Sequence, residues 1–518
     1  MRRPSSSRRP DRAAHVTATI DSAEPPAGLV PGSVGRNVAL SLVQQATTGL
    51  FTAGLTLYLV RALGPTSFGT FTLALGVGGL VQLVSEFGLP QSVARFAAEH
   101  AHNRSAVANV LSDGARLQRL VSGTIATALF AASGPIADAY GQPHLTWPLR
   151  GVALAVFGQS VMSLYVNTFT AVSRIDLNVR VVFAESVMET TATVALVLLG
   201  GGAVGAAMGR AIGYAVGGII AVIASVRVFG RASARYRSGF GGSSKAILAY
   251  AAPLLVTNSA YTLYGQADIL IIGAMLSATS VGVFGAALRM TFPLSYLGQA
   301  VGNSVAPRQV SRGGRDADHD ALHTGLRWLM VVHAMLLAPL VVWAEPIVRL
   351  LLGPGFSGSA NVLRLLAPYI FLLGVSPPIT MTVNYVGRAR GRIPIVVAAL
   401  LINVAIDIAL IPVIGVEAGA IGTTIAYCVY VPAHFRLLPR TLLTVLRPLL
   451  VTLVRALTAA AGMAAVLYSL GTSELSPVDW LGGAVGGLLV FAAILLLTRE
   501  VSPAEVRATA TAVSRLVH

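Results

Sequence analysis

A chain of 518 residues that is 54% hydrophobic and only 11% charged cannot cover a soluble globule of its size with polar side chains. Its mean hydropathy of +0.72 fits a polytopic, all-α membrane protein. The +16 net charge comes almost wholly from arginines at the ends of apolar runs, which points to membrane topology rather than nucleic-acid binding.

The first 35 residues are rich in Arg, Ser and Pro and lack an apolar signal core, so 1–35 is expected to be a disordered, basic cytoplasmic tail. Apolar runs of about 20 residues then recur, the length needed to cross a bilayer as a helix. They predict spans over 37–61, 68–88, 117–137, 148–171, 181–200, 203–226, 246–276, 281–306, 325–344, 361–386, 394–413, 416–435, 448–470 and 480–498. The thirteenth of these carries an arginine, Arg455, inside it.

With the tail cytoplasmic, 30 of the 37 basic residues fall in inner segments and only Arg61, Arg150 and Arg349 in outer ones. The positive-inside rule therefore predicts that both termini are cytoplasmic.

The chain repeats itself. Leu63, Thr66, Gly69, Phe71 and Arg95 recur as Leu276, Thr279, Gly282, Phe284 and Arg308, each 213 residues on. Ala207, Gly209 and Tyr214 recur at the same interval as Ala420, Gly422 and Tyr427. Each copy contains six spans, and an even number returns the chain to its starting side. The copies are therefore expected to be parallel and related by an axis along the membrane normal. The expected division is an N-lobe over 36–230, a cytoplasmic linker over 231–245, a C-lobe over 246–440, and two further spans with a short tail over 441–518.

Ionisable residues within spans are costly, about 2.5–3.5 kcal/mol each on insertion scales, and face a cavity or a partner. Asp268, Arg289, Arg210 and Asp407 each lie six to eight residues from the outer end of their span. At 1.5 Å per residue this predicts a common polar layer about 9–12 Å below the outer boundary, with the two acids partnering the two arginines. The layer either binds substrate or ties the bundles together. Glu185 and Glu189 share one face of span five, and Asn403 and Asp407 have the same spacing on span eleven. Glu189 is a candidate proton site or a buried hydrogen-bonding group. Arg36 sits where a cytoplasmic mouth would open, or snorkels to the headgroups.

Gly201, Gly205, Gly209, Gly213 and Gly217 recur every four residues on span six, a face that lets helices approach closely. Prolines such as Pro253, Pro293 and Pro377 interrupt spans and offer points of bending. Asp316–His323 (DADHDALH) matches no standard metal-ligand spacing and reads as a solvated charge run, so no metal or cofactor is expected. The sole lysine, Lys245, stands between Ser244 and Ala246, which excludes the Gly-Lys-Ser/Thr of a P-loop ATPase.

RALGPTSFGTFTLA after span one, SEFGLPQSVARFAAE after span two and GQADILIIGAML in span seven resemble the polysaccharide-transporter flippases. So do LLGPGFSGSANVLRLLAPY before span ten and NVAIDIALIPVIGVEAGAIGTTIAY across spans eleven and twelve. That family is a branch of the multidrug/oligosaccharidyl-lipid/polysaccharide exporter superfamily, and the resemblance covers about residues 36–440. It implies a V-shaped pair of six-helix bundles that flips polyprenyl-pyrophosphate-linked glycans across the bacterial inner membrane, beside polysaccharide-biosynthesis enzymes. A multidrug/cation antiporter of the same superfamily is the alternative. A membrane glycan polymerase or glycosyltransferase fits less well, because the predicted outer loops are short.

Overall fold

The computed structural model describes residues 34–231, 243–309, 319–443, 446–502 and 505. Most of the expected basic tail, the centre of the linker with Arg235 and Arg237, and Asp316–Asp318 lie outside the described residues, as does the side chain of Pro253.

The first two spans form one helical rod, α1 (Val34–Glu86), broken where Gly64 adopts φ 67° and ψ 175° ahead of Pro65. Glycine takes this left-handed conformation without a Cβ clash, so the two limbs fold back on each other there. A short helix, α2 (Leu89–Glu99), follows, then α3 (Arg104–Ala139), α4 (Thr146–Ala171), α5 (Ile175–Leu196) and α6 (Gly202–Phe229). The second half runs through α7 (Ser243–Met275), α8 (Ala278–Val305), α9 (His319–Val342), the short α10 (Ala344–Leu351), α11 (Ser359–Tyr385), α12 (Arg392–Ile414) and α13 (Glu417–Phe435). A single turn, α14 (Arg440–Leu443), leads to α15 (Leu446–Ser469) and α16 (Pro477–Leu497).

Nine apolar helical stretches reach spanning length among the described residues. Two of them, Val43–Glu99 and Ile175–Phe229, double back and hold two spans each, and α7, α8 and α13 complete fourteen. The fold is all-α, with two six-helix bundles and a C-terminal pair.

Several helices start ahead of the expected spans, α5 at Ile175, α9 at His319 and α3 by the widest margin. α3 starts at Arg104 rather than near 117, because Asn103 caps it by accepting from the Ala106 backbone N–H. The amphipathic α10 is too short and too polar to register as a span.

Within the first bundle, α6 presses its glycine face on α5. A Cβ on Gly209 would meet Thr193, and one on Gly213 would meet the Glu189 Cβ at 2.6 Å. In the second bundle Gly422 of α13 likewise lies against Asn403 and Asp407 of α12. The small-residue faces are therefore the seams of both bundles.

The bundles meet along α1 with α7 and α8. At the end bearing the Gly64 and Ser277 turns the contact is close. The Thr66 and Thr279 hydroxyls are 2.8 Å apart. A Cβ on Gly69 would fall on the Ala278 carbonyl, and one on Gly282 on the Pro65 carbonyl. Phe68 packs edge-on against Phe356 at 6.1 Å, and the Arg61 guanidinium donates to the Leu350 and Leu351 carbonyls of α10.

The C-terminal pair is pinned to α9 at both ends. The Trp343 indole N–H donates to the Gly471 carbonyl at 3.1 Å, and its ring meets Trp480 at 5.0 Å. At the other end, the buried Glu500 accepts from Arg327 at 2.8 Å, Thr452 at 2.8 Å and Arg455 at 3.1 Å. This explains the arginine inside the thirteenth span: Arg455 reaches a carboxylate just beyond the fourteenth.

Candidate functional site: a charged cavity between the bundles

A cavity of about 870 Å³ lies between the bundles, walled by both limbs of α1, α4, α7 and α8. The contacts around Thr66 and Thr279 close it at the turn end. Glycines of α1 bring the walls together: a Cβ on Gly76 would meet Ile269, and one on Gly79 would meet Gln266 at 3.1 Å. Most of the lining is apolar, punctuated by Gln82, Gln91, Gln159 and Gln266, with three charged residues, Glu86, Arg210 and Arg289.

The two arginines differ. Arg210 reaches in from α6 and is already neutralised, since its Nη1 donates to Glu189 Oε1 at 2.8 Å. Its Nη2 donates to the Tyr214 hydroxyl at 2.8 Å. Arg289 comes from α8 and rests over the Phe68 ring at 5.5 Å. It forms no ion pair with a described carboxylate. A small adjoining void of about 50 Å³ is lined by Glu189, Arg210 and Arg289 together, so all three share one neighbourhood. Glu185, one turn from Glu189, is buried, and its Oε2 accepts from Ser186 at 3.2 Å.

The expected pairing of Asp268 and Asp407 with the arginines is not what forms. Both acids are buried inside the second bundle, at 6% and 0% exposure. Gln266 and Ile269 of α7 face the cavity, and at 100° per residue Asp268 points away from it. Asp268 accepts from Asn403 Nδ2 at 2.8 Å and Thr423 Oγ1 at 2.6 Å. Asp407 Oδ1 and the same Asn403 Nδ2 lie side by side against Gly422, so the two acids share one buried polar cluster. Asn403 Oδ1 and both Asp407 carboxyl oxygens have no protein donor.

Arg36 is exposed on the first turn of α1 and does not line the cavity. The sequence reading also passed over Glu86, which lines the cavity and accepts from Gln82 Nε2 at 2.9 Å. The four-residue spacing of Gln82 and Glu86 was the available signal.

The chain matches the family described as polysaccharide biosynthesis protein over residues 34–309, and the MatE family over residues 253–409. A probable low-salt glycan biosynthesis flippase of Haloferax volcanii is 21% identical over 414 residues, covering 77% of this chain and 83% of that protein. The fold is similar to that of the lipid II flippase MurJ in an inward closed conformation, with TM-score 0.73 at 12% identity over 89% of this chain and 99% of that one. It is also similar to an inward-facing multidrug resistance MATE family transporter, with TM-score 0.60 at 16% identity over 76% and 95% of the two chains. The first of these matches spans more than half of the sequence and contains both limbs of α1 and the whole of α7 and α8. The chain that builds this cavity is therefore a multi-pass membrane protein of the polysaccharide biosynthesis protein family, within the multidrug/oligosaccharidyl-lipid/polysaccharide exporter superfamily.

Proposed function

We propose that this protein is a flippase that carries a polyprenyl-pyrophosphate-linked oligosaccharide across the bacterial inner membrane by alternating access. The observation that carries this reading is Arg289, a guanidinium without an ion-pair partner among the described residues, facing a cavity sealed at one end. A half-buried arginine without a described carboxylate favours a multivalent anion such as pyrophosphate, which it can grip with paired N–H donors. Arg210 lies beside it, half committed to Glu189. The glutamines around the wall offer donors and acceptors to sugar hydroxyls. The Haloferax relative bears the name of a glycan flippase, which is the same class of cargo.

The arginine distribution supports cytoplasmic termini and an outward-facing Gly64 turn, so the cavity is closed on the outside. Residues 36–230 and 246–440 act as the two moving lobes in this reading, joined by the cytoplasmic linker 231–245. Energy enters at the second lobe. Asp268 and Asp407, with Asn403 and Thr423, hold a shared proton or a small monovalent cation. Loading that site changes how α7 packs on α12 and α13. Polysaccharide-biosynthesis enzymes supply the cargo.

A cation antiporter is the second reading, favoured by the MatE match across α7 to α12. It would use acids to hold an organic cation, but Asp268 and Asp407 do not line the cavity. The test is deletion of the gene followed by analysis of lipid-linked oligosaccharide. Loss of surface glycan with lipid-linked units accumulating inside supports the flippase. Intact glycan with altered drug sensitivity supports the antiporter.

A further inference from the structure

Helix α4 has two working faces. Val152, Val156 and Gln159 look into the central cavity. Leu154, Phe157, Val161 and Tyr165 instead line a separate groove of about 630 Å³, completed by α3 and α6. From Leu154 to Tyr165 is eleven residues along this groove, about 16 Å of helix, centred on the middle of α4 (Thr146–Ala171). The groove therefore lies along the middle of α4 and α6, and its exposed apolar side chains, Leu154, Phe157 and Ile219 among them, open it to lipid rather than to the transport path.

Its polarity is concentrated at one end. There the apolar wall gives way to Arg119, Gln118 and the Tyr165 side chain. Arg119 is exposed and forms no ion pair with a described carboxylate. Gln118 is fully buried; its Nε2 donates to the Ser85 carbonyl at 2.8 Å, but its Oε1 has no donor. Deeper in, Tyr214 forms part of the wall. Its hydroxyl accepts from Arg210, one turn earlier on α6, which lines the central cavity.

We propose that this groove binds one acyl chain of an anionic phospholipid from the leaflet on the Arg119 side, with the lipid phosphate held by the Arg119 guanidinium. Charge complementarity selects this occupant. A guanidinium without a described acid partner, near the end of a span and able to snorkel to the headgroups, gains charge-assisted hydrogen bonds from a phosphate, and a net negative headgroup adds attraction that a zwitterionic one cancels. The carrier tail of a cargo in the central cavity is a poorer fit, because α4 stands between the two spaces. A chain seated in the groove packs on Tyr214 and so steadies the Arg210–Glu189 pair one hydrogen bond away. Lipid composition thereby reaches the cavity without entering it.

The test uses the full-length protein in nanodiscs holding phosphatidylglycerol and phosphatidylcholine in equal amounts. Lipids retained after transfer to detergent are identified by native mass spectrometry. The wild type should retain phosphatidylglycerol in preference to phosphatidylcholine, and Arg119→Gln should lose that preference by about tenfold. Gly218→Phe fills the groove from a position where an added Cβ meets only Gly158 O at 3.7 Å and Val161 Cγ1 at 3.9 Å. That variant should retain neither lipid while keeping the thermal midpoint of the wild type in detergent. Equal retention of both lipids by the wild type overturns the proposal. So does unchanged phosphatidylglycerol retention in the two variants.

Discussion

The Thr66 and Thr279 hydroxyls meet at 2.8 Å, although 213 residues separate them. That interval is the spacing of the internal repeat, so each threonine touches its own counterpart. Equivalent positions of two parallel copies come together only on the axis that relates them. Gly69 and Gly282, also equivalent, flank the same axis and put backbone against backbone. This contact seals one end of the cavity. Cysteines at both threonines, with Cys428 replaced by Ser, should crosslink under mild oxidant and stop glycan export, and reductant should restore it. Unimpeded export by the fully crosslinked protein would show that the seal does not open during transport.

Gly282→Val offers an independent check of the same seal. Its side chain would be driven into the Pro65 carbonyl, a backbone atom that cannot swing aside. The variant should populate states open at the turn end. An impermeant thiol reagent should then label a cysteine placed at Thr56, in the cavity wall, faster than in the glycine parent.

The spans, the duplication and the glycine seams were legible in the sequence because hydropathy, interval and four-residue spacing are one-dimensional signals. Charge pairing was not. Asp268 and Arg289 were placed at similar depths, but depth says nothing about which way a side chain points. Gln266 and Asp268 are two residues apart and face different surroundings, the cavity and the interior of a bundle. The partner of Arg455 is Glu500, 45 residues away and past the end of the last span, where no local pattern could reveal it. Glu86 lay within a stretch that resembles the flippase family, yet its position at a span end disguised it as an interfacial residue.

The two cavity arginines should respond differently to removal. Arg289→Ala leaves no described carboxylate stranded, so the protein should accumulate normally while export falls to background. Arg210→Met strands Glu189, whose side chain is only 14% exposed, and should lower stability by about 1–3 kcal/mol. The double variant Arg210→Met/Glu189→Gln should recover most of that stability without recovering export. Thermal unfolding in detergent, read beside surface glycan, separates the two effects. Wild-type glycan from well-expressed Arg289→Ala would sink the pyrophosphate reading.

The proposed function places ion coupling at the buried acids of the second bundle. Asp407→Asn should fold, since it keeps the side chain's shape and adds an amide donor to the same buried polar cluster. It should also abolish any dependence of transport on the coupling ion. In proteoliposomes, an imposed proton or sodium gradient should stimulate the wild type and leave Asp407→Asn and Asp268→Asn unresponsive. A variant that still follows the gradient would move the coupling site elsewhere.

The clamp on the C-terminal pair makes stability depend on pH in a fixed direction. Hydrogen bonds from Arg327 and the Ser502 backbone hold the Glu505 carboxyl down to about 2. Burial pushes Glu500 up, but hydrogen bonds from Arg327, Thr452 and Arg455 outweigh it and keep its carboxyl below the usual glutamate range. Both groups thus bind fewer protons folded than unfolded. Their contribution is fully present above the unfolded value of about 4.3 and is lost as pH falls through the folded values toward 2. Glu505 is nearly solvent-exposed in this respect, so screening leaves Glu500 as the larger contributor. Glu500→Gln should therefore lower the thermal midpoint at pH 7 and flatten its decline between about pH 5 and pH 3. Because Arg455 then lies in a span without its carboxylate, the loss should exceed that of Glu505→Gln. Equal midpoints for Glu500→Gln and the wild type across that range would mean that α15 and α16 are held by their apolar contacts with α9 alone.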